Sequence, residues 1–211
     1  MLSLRDLSTL PEPAAMRHSM RCSAILSVVL SEEPYYRCFH FDPLWGADGD
    51  DVAFAKFDNG SGDHVFVLFT VRDAVIKGFD HESPVSQHAS DAMQVWRGMY
   101  DGLPPHLATL LADPCMMDDD VTFCVWWQGG AWRHGPVEYP GGEDDGSSYL
   151  LPVTARDAAG FHEWATDYYE SPLELEIVEK VFAGTPLTAE WVKRLNPERD
   201  VEAALAEIAR M

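Results

Sequence analysis

Apolar positions recur along this chain with two different periods, and the switches between them predict an α+β fold. Over residues 13–31, Ala14, Ala15, Met16, Met20, Ile25, Leu26, Val29 and Leu30 follow a helical spacing, and Pro34 stops the helix. Residues 35–41 alternate aromatic and polar side chains and read as a strand closed by Asp42-Pro43. The clearest pattern comes next. Residues 52–57 and 64–70 are strands separated by Asp58-Asn59-Gly60-Ser61-Gly62-Asp63, and Arg72-Asp73 turns into a third strand over 74–79. Gly60 and Gly62 supply the positive φ that a hairpin connection needs, so the three strands form an antiparallel meander with 64–69 at its centre.

Downstream, residues 90–100 predict a helix ending near Gly102, and 105–111 a second, shorter one. Residues 121–127 and 131–134, joined by Gln128-Gly129-Gly130, make a second hairpin. A polar loop fills 140–148, and 149–153 reads as an edge strand because of Pro152. From there the pattern is helical. Thr154-x-x-Asp157 resembles a capping box opening a helix to about Tyr169, and Ser171-Pro172-Leu173-Glu174 opens one that stops at Gly184. Residues 188–195 form a short helix. Asn196-Pro197 opens the last, with Val201, Ala204, Leu205 and Ile208 on one face. There is no internal repeat and no long linker. The expected architecture is one α+β domain over 1–211. Its antiparallel, mixed-length sheet occupies 35–153, interrupted by helices within 90–111. That sheet packs against the N-terminal helix and a helical region over 154–211.

Charge changes the picture of the surface. The chain holds 35 Asp+Glu against 15 Lys+Arg, a net charge of -20, while 46% of its 211 residues are hydrophobic and 11% aromatic. A disordered acidic segment lacks that apolar content, so the carboxylates coat a packed domain. Such a surface repels nucleic acid and anionic lipid and attracts basic proteins within about 8 Å, the Debye length at physiological salt. No apolar stretch approaches the roughly 20 residues that span a bilayer. The run Ile25 to Leu30 is short, lies late for a signal peptide and is followed by Glu32, Glu33 and Pro34, which makes the cytoplasm the expected compartment. Cys22, Cys38, Cys115 and Cys124 have no C-x-x-C spacing and sit among apolar residues, as reduced core thiols do.

Candidate chemistry is sparse. Phe79-Asp80-His81-Glu82-Ser83 gathers three ionisable groups at a strand end, where a carboxylate beside an imidazole can bind metal or move protons. Extended backbone lets Asp80 and Glu82 converge while His81 points away, and a loop that caps the next helix is the plainer reading. Asp58, Asn59, Ser61 and Asp63 imitate a calcium loop without its spacing or its later Glu, which favours a hairpin turn. Asp48, Asp50 and Asp51, like Asp118-Asp119-Asp120, read as solvated loops. His162 lies on a helix as a surface or packing residue. Neither a nucleophile elbow nor a phosphate loop is present, and no cofactor motif is found. Trp126, Trp127 and Trp132 cluster at the second hairpin. Covered by helices they are core, and exposed among carboxylates they are a protein-binding hot spot.

Several segments resemble a group of uncharacterised bacterial cytoplasmic proteins. They are Asn59-Gly60-Ser61-Gly62-Asp63, Ile76-Lys77-Gly78-Phe79-Asp80-His81-Glu82-Ser83, Gly102-Leu103-Pro104, Val121-Thr122-Phe123-Cys124-Val125-Trp126, and Pro186-Leu187-Thr188 with Leu195-Asn196-Pro197. The likeness runs from about residue 35 and implies no activity. In size and charge alone the chain is also similar to immunity proteins that neutralise bacterial toxins, a likeness that transfers no residue. The leading expectation is a non-enzymatic, immunity-like protein that needs no cofactor and holds a basic protein partner. The expected face combines Asp118, Asp119, Asp120, Trp126, Trp127, Glu143, Asp144 and Asp145. The rival is a metal-dependent hydrolase built on Asp80, His81 and Glu82 with a further carboxylate supplied by the fold.

Overall fold

A computed structural model describes residues 4, 6–46, 51–89, 93–117, 119–139 and 144–211. Its organising element is one 6-stranded antiparallel sheet whose spatial order follows the chain: β1 (Phe39–Asp42), β2 (Ala53–Asp58), β3 (His64–Phe69), β4 (Ala74–Phe79), β5 (Phe123–Gln128) and β6 (Ala131–His134). The expected meander and second hairpin are thus parts of the same sheet. They are joined where β4 pairs with β5, Ala74 opposite Trp127 and Gly78 opposite Phe123.

Both faces of the sheet are covered, which is why every residue of β3 and β4 is buried and neither strand alternates in polarity. On one face Phe39, Ala55, Phe57, Val65, Val67, Ile76 and Val125 meet the N-terminal helix α1 (Pro13–Leu30) and the C-terminal helices α4 (Ala158–Tyr168), α5 (Leu175–Phe182), α6 (Ala189–Leu195) and α7 (Val201–Ile208). On the other, Phe66, Leu68, Val75, Cys124 and Trp126 meet Met99, Leu107, Leu111, Met116 and Val121. Those five all come from the long β4–β5 connection, which includes α2 (Pro105–Leu111), so the connection itself forms the second layer. No helix among the described residues is long and apolar enough to cross a membrane.

The C-terminal half of α1 is surrounded, with residues 22–29 all buried, and its C-terminal carbonyls are satisfied from a distance. Asn196 Nδ2 donates to the Val29 and Leu30 oxygens, and Arg199 Nε donates to Val28. Asn196, read in the sequence as the opening of the last helix, closes the first one instead. Asp200 caps α7 by accepting from the Ala203 N–H, and Thr188 caps α6 through Trp191.

Five expectations about local structure are corrected. α5 opens at Leu175, behind a Glu174 that makes no side-chain cap, and not at Ser171-Pro172. Residues 149–153 are helical rather than an edge strand, within α3 (Ser147–Leu150) and a 3-10 turn over Leu151–Ala155. Leu150 and Leu151 both reach the same core, which neighbouring residues of a strand cannot do. The described part of the expected helix over 90–100 is turn and irregular chain, broken by positive φ at Met93 and Gly98. α4 is capped by Asp157, which accepts from the Gly160 N–H, while Thr154 lies buried in the preceding turn and donates to Leu151. Tyr35 and Tyr36 belong to a 3-10 turn over Pro34–Tyr36 and not to β1. Among the cysteines, Cys22, Cys38 and Cys124 are buried thiols as expected, whereas Cys115 is exposed.

Candidate functional site

The β2–β3 turn and the end of β4 come together at one end of the central strands. In the turn, Asn59 Oδ1 accepts from the Ser61 and Asp63 N–H groups, and Asp58 Oδ1 accepts from Gly60. These groups bind their own backbone, as a glycine-rich turn requires and a calcium loop does not. Asp63 closes the turn and is left only 7% exposed. Its Oδ1 accepts from the His81 main-chain N–H at 3.0 Å and lies 2.7 Å from His81 Nδ1, while its Oδ2 accepts from Asn59 Nδ2.

Asp63 is therefore the carboxylate that the fold adds to the 80–82 segment. Ligand atoms of Asp63, Asp80 and His81 all lie within 4.8 Å of one another, the one such three-residue group among the described residues. Glu82 stays outside: its side chain is 85% exposed, with Oε1 3.9 Å from His81 Nε2. The expected geometry, Asp80 with Glu82 and His81 turned away, is reversed because the chain leaves β4 in a turn. There Asp80 Oδ1 accepts from the Glu82 N–H, and Ser83 N–H bonds the Asp80 carbonyl. Two glycines in the left-handed region admit these side chains. A Cβ on Gly62 (φ +112) would lie 3.0 Å from the His81 ring, and one on Gly146 (φ +76) 2.4 Å from Asp80 Cβ.

The electrostatics follow from that placement. Burial pushes the Asp63 carboxyl up, but the His81 and Asn59 hydrogen bonds outweigh it and hold its pKa below the usual value. Burial raises Asp80, and the Asp63 charge adds to the rise. His81 is raised above its ordinary 6.5 by its bond to Asp63. With Nδ1 turned to Asp63, Nε2 of His81 is the nitrogen left to act as a base or ligand, with Glu82 Oε1 3.9 Å away. On Asp63, Oδ1 already faces the His81 main-chain N–H and Nδ1, and Oδ2 accepts from Asn59, so a metal held by all three residues would compete with these hydrogen bonds.

The expected acidic and aromatic face is spread among other duties. Asp118 and Glu143 lie outside the described residues. Asp119 is exposed. Asp120 Oδ1 accepts from Gln87 Nε2 and pairs with His88. Asp144 accepts from the Gly146 N–H, and Asp145, buried and so raised in pKa, accepts from Ser147. Trp126 is 2% exposed inside the second core, which corrects its assignment to a contact face. Trp127 is half-buried and meets Trp132 edge-on at 5.5 Å.

Exposed aromatic surface exists elsewhere. Tyr35, Tyr36 and Tyr168 are 85%, 58% and 40% exposed. Tyr35 and Tyr36 stand edge to face at 5.4 Å, and Tyr168 stacks on Trp164 at 5.1 Å. The Tyr168 and Tyr169 hydroxyls both reach the Tyr36 carbonyl, at 3.4 and 3.5 Å. This ledge joins the chain leaving α1 to the end of α4. Exposed Glu32, Glu33, Asp167 and Glu170 flank it in sequence, whereas Arg37 beneath is buried and bound to Glu207. The sequence carried a signal for it: two Tyr-Tyr pairs, each beside carboxylates. Compared with protein-family models, curated proteins and solved structures, the chain matches none.

Proposed function

We propose that this protein is a non-enzymatic binding protein that holds a basic protein partner, with Tyr35, Tyr36 and Tyr168 as its contact ledge. One observation carries the reading: three tyrosines, braced by ring contacts and a shared carbonyl, stand exposed among carboxylates on a chain of net charge -20. Tyrosine is enriched at binding hot spots because it offers a large amphipathic surface at little entropic cost. The carboxylates speed the approach of a basic partner, and the rings set how long it stays. Bacterial origin, a cytoplasmic setting and an immunity-like role in neutralising a toxin belong to the same proposal, supported by size and charge.

The test compares captures from the native host at low salt by the wild type, a Tyr35→Ala/Tyr36→Ala variant and a Glu32→Gln/Glu33→Gln variant. A basic protein held by the wild type is expected to be lost by the tyrosine variant and to associate at least tenfold more slowly with the glutamine variant. Melting temperatures should stay unchanged. Equal retention by all three would refute the ledge, and a toxin-like coding sequence beside the gene would support the immunity role.

A second reading, metal-dependent hydrolysis, is favoured by the convergence of Asp63, Asp80 and His81. Stoichiometric zinc, manganese or iron in chelator-free protein, lost in His81→Ala, would establish it. Metal-free protein with an unaltered melting curve in the variant would dismiss it.

A further inference from the structure

We propose that the groove between the N-terminal half of α1 and the β3–β4 turn binds an anionic amphiphile, a small molecule with an oxyanion head and an apolar body. The groove is open to solvent and has a volume of about 1070 Å³, slightly above the usual range of about 300–1,000 Å³ for small-molecule sites. Three arginines line it from two elements: Arg17 and Arg21, one turn apart on α1, and Arg72 in the β3–β4 turn.

They share with Arg133, Arg156 and Lys193 the lack of a described carboxylate side-chain partner, Arg133 and Lys193 binding main-chain oxygens and Arg156 standing over Trp164. Elsewhere Arg37 and Arg199 are bound to Glu207, Lys56 to Asp58, Lys180 to Glu176, and Arg194 to Glu174 and Glu190. No described carboxylate side chain lies within 4.0 Å of Arg17, Arg21 or Arg72, although Asp+Glu outnumber Lys+Arg by 35 to 15. Arg21 Nε donates to the Met211 main-chain oxygen at 3.0 Å, and the Arg17 guanidinium stands 6.0 Å from the Phe41 ring centroid. Of the carboxylates facing the groove, Asp73 is held by His106 at 3.0 Å, and Glu12 and Asp51 are exposed. His18, also on the wall, has its Nε2 2.6 Å from the Phe182 carbonyl.

The apolar side is equally specific. Leu44 and Val71 are 73% and 78% exposed on the lining, with Trp127 beside them. An anion is repelled from most of this molecule, whereas this groove offers it three guanidinium groups and apolar walls beside Glu12, Asp51 and Asp73. Arginine forks bind carboxylate, sulfonate and phosphate in the same two-pronged way, so the head is an oxyanion. The aliphatic and indole lining takes the body.

The test is a fluorescence titration of the folded chain with anilinonaphthalene sulfonate, followed by displacement with dodecanoate, naphthyl phosphate and the neutral dodecanol. One saturable site is expected. Dodecanoate or naphthyl phosphate should displace the probe at least tenfold more effectively than dodecanol, and the stronger of the two identifies a carboxylate or a phosphate ligand. An Arg17→Ala/Arg72→Ala variant with unchanged melting should weaken the probe at least tenfold, and amide NMR of the wild type should shift Leu44 and Val71. Equal binding by the variant, equal displacement by dodecanol, or shifts confined to other residues would overturn the proposal. None of these outcomes bears on the tyrosine ledge.

Discussion

Asp63 sets the state of His81, and the consequence is a pH dependence of definite sign. His81 is raised above 6.5 when folded, so its bond to Asp63 stabilises the fold fully below the unfolded pKa and loses that contribution as pH rises through the folded one. Asp63 behaves oppositely. Its folded pKa is depressed, so its contribution is present above the unfolded carboxylate value and disappears as pH falls through the folded one. The pair therefore acts in the mildly acidic window between the two. In Asp63→Asn, an NMR titration should show His81 moved down towards its ordinary value, with the extra stability in that window gone. A His81 titration unaltered by the substitution would contradict the assignment. The residues of this site were visible in the sequence, but their convergence was not. Asp63 and His81 are 18 positions apart, and it is the antiparallel pairing of β3 with β4, His64 opposite Phe79, that places the turn against the strand end.

Strands and caps were the most legible elements because their signals are local. The spans Ala74–Phe79, Pro105–Leu111 and Ala131–His134 were read to the residue, since each is bounded by turn-forming chain and follows a single period. The segment 149–153 was misread because a short apolar run with a proline fits an edge strand as well as a helical turn. Only the core it enters distinguishes the two. Register also decides Gly78. Its φ is ordinary, but the Phe123 ring of the neighbouring strand lies over it, and an added Cβ would come within 2.0 Å of Phe123 Cζ. Gly78→Ala should destabilise by about 1–3 kcal/mol through overpacking, measured by urea unfolding. Adding Phe123→Leu should recover much of the loss. If the double variant is no more stable than Gly78→Ala, the ring contact is not the cause.

At the scale of the molecule, one sheet is shared by two cores, and cooperativity should follow. Leu107 lies in the core formed by the β4–β5 connection and Ile177 in the core formed by the helices. Leu107→Ala and Ile177→Ala should each cost about 2–5 kcal/mol, and each should leave a single transition that coincides by tryptophan fluorescence and far-UV circular dichroism. Separated transitions in either variant would mean that the layers fold independently. The proposed binding surfaces use different ends of the central helix. The tyrosine ledge follows the C-terminus of α1, while the arginine groove lies along its first turns, and an 18-residue helix is about 27 Å long. At the two proposed surfaces, a bulky basic partner and a small anion are therefore expected to bind without competing.

By itself the sequence determined the α+β class, the position of the strands and most helices, and an anionic exterior, because periodicity, caps and net charge are properties of neighbouring residues or of sums over the chain. Tertiary structure alone decided that Trp126 is hidden, that Tyr35, Tyr36 and Tyr168 stand out, that Asp63 meets His81, and that Arg17, Arg21 and Arg72 face one groove. Each of those facts depends on which face of an element is covered by another distant in the chain, and local pattern carries no record of it.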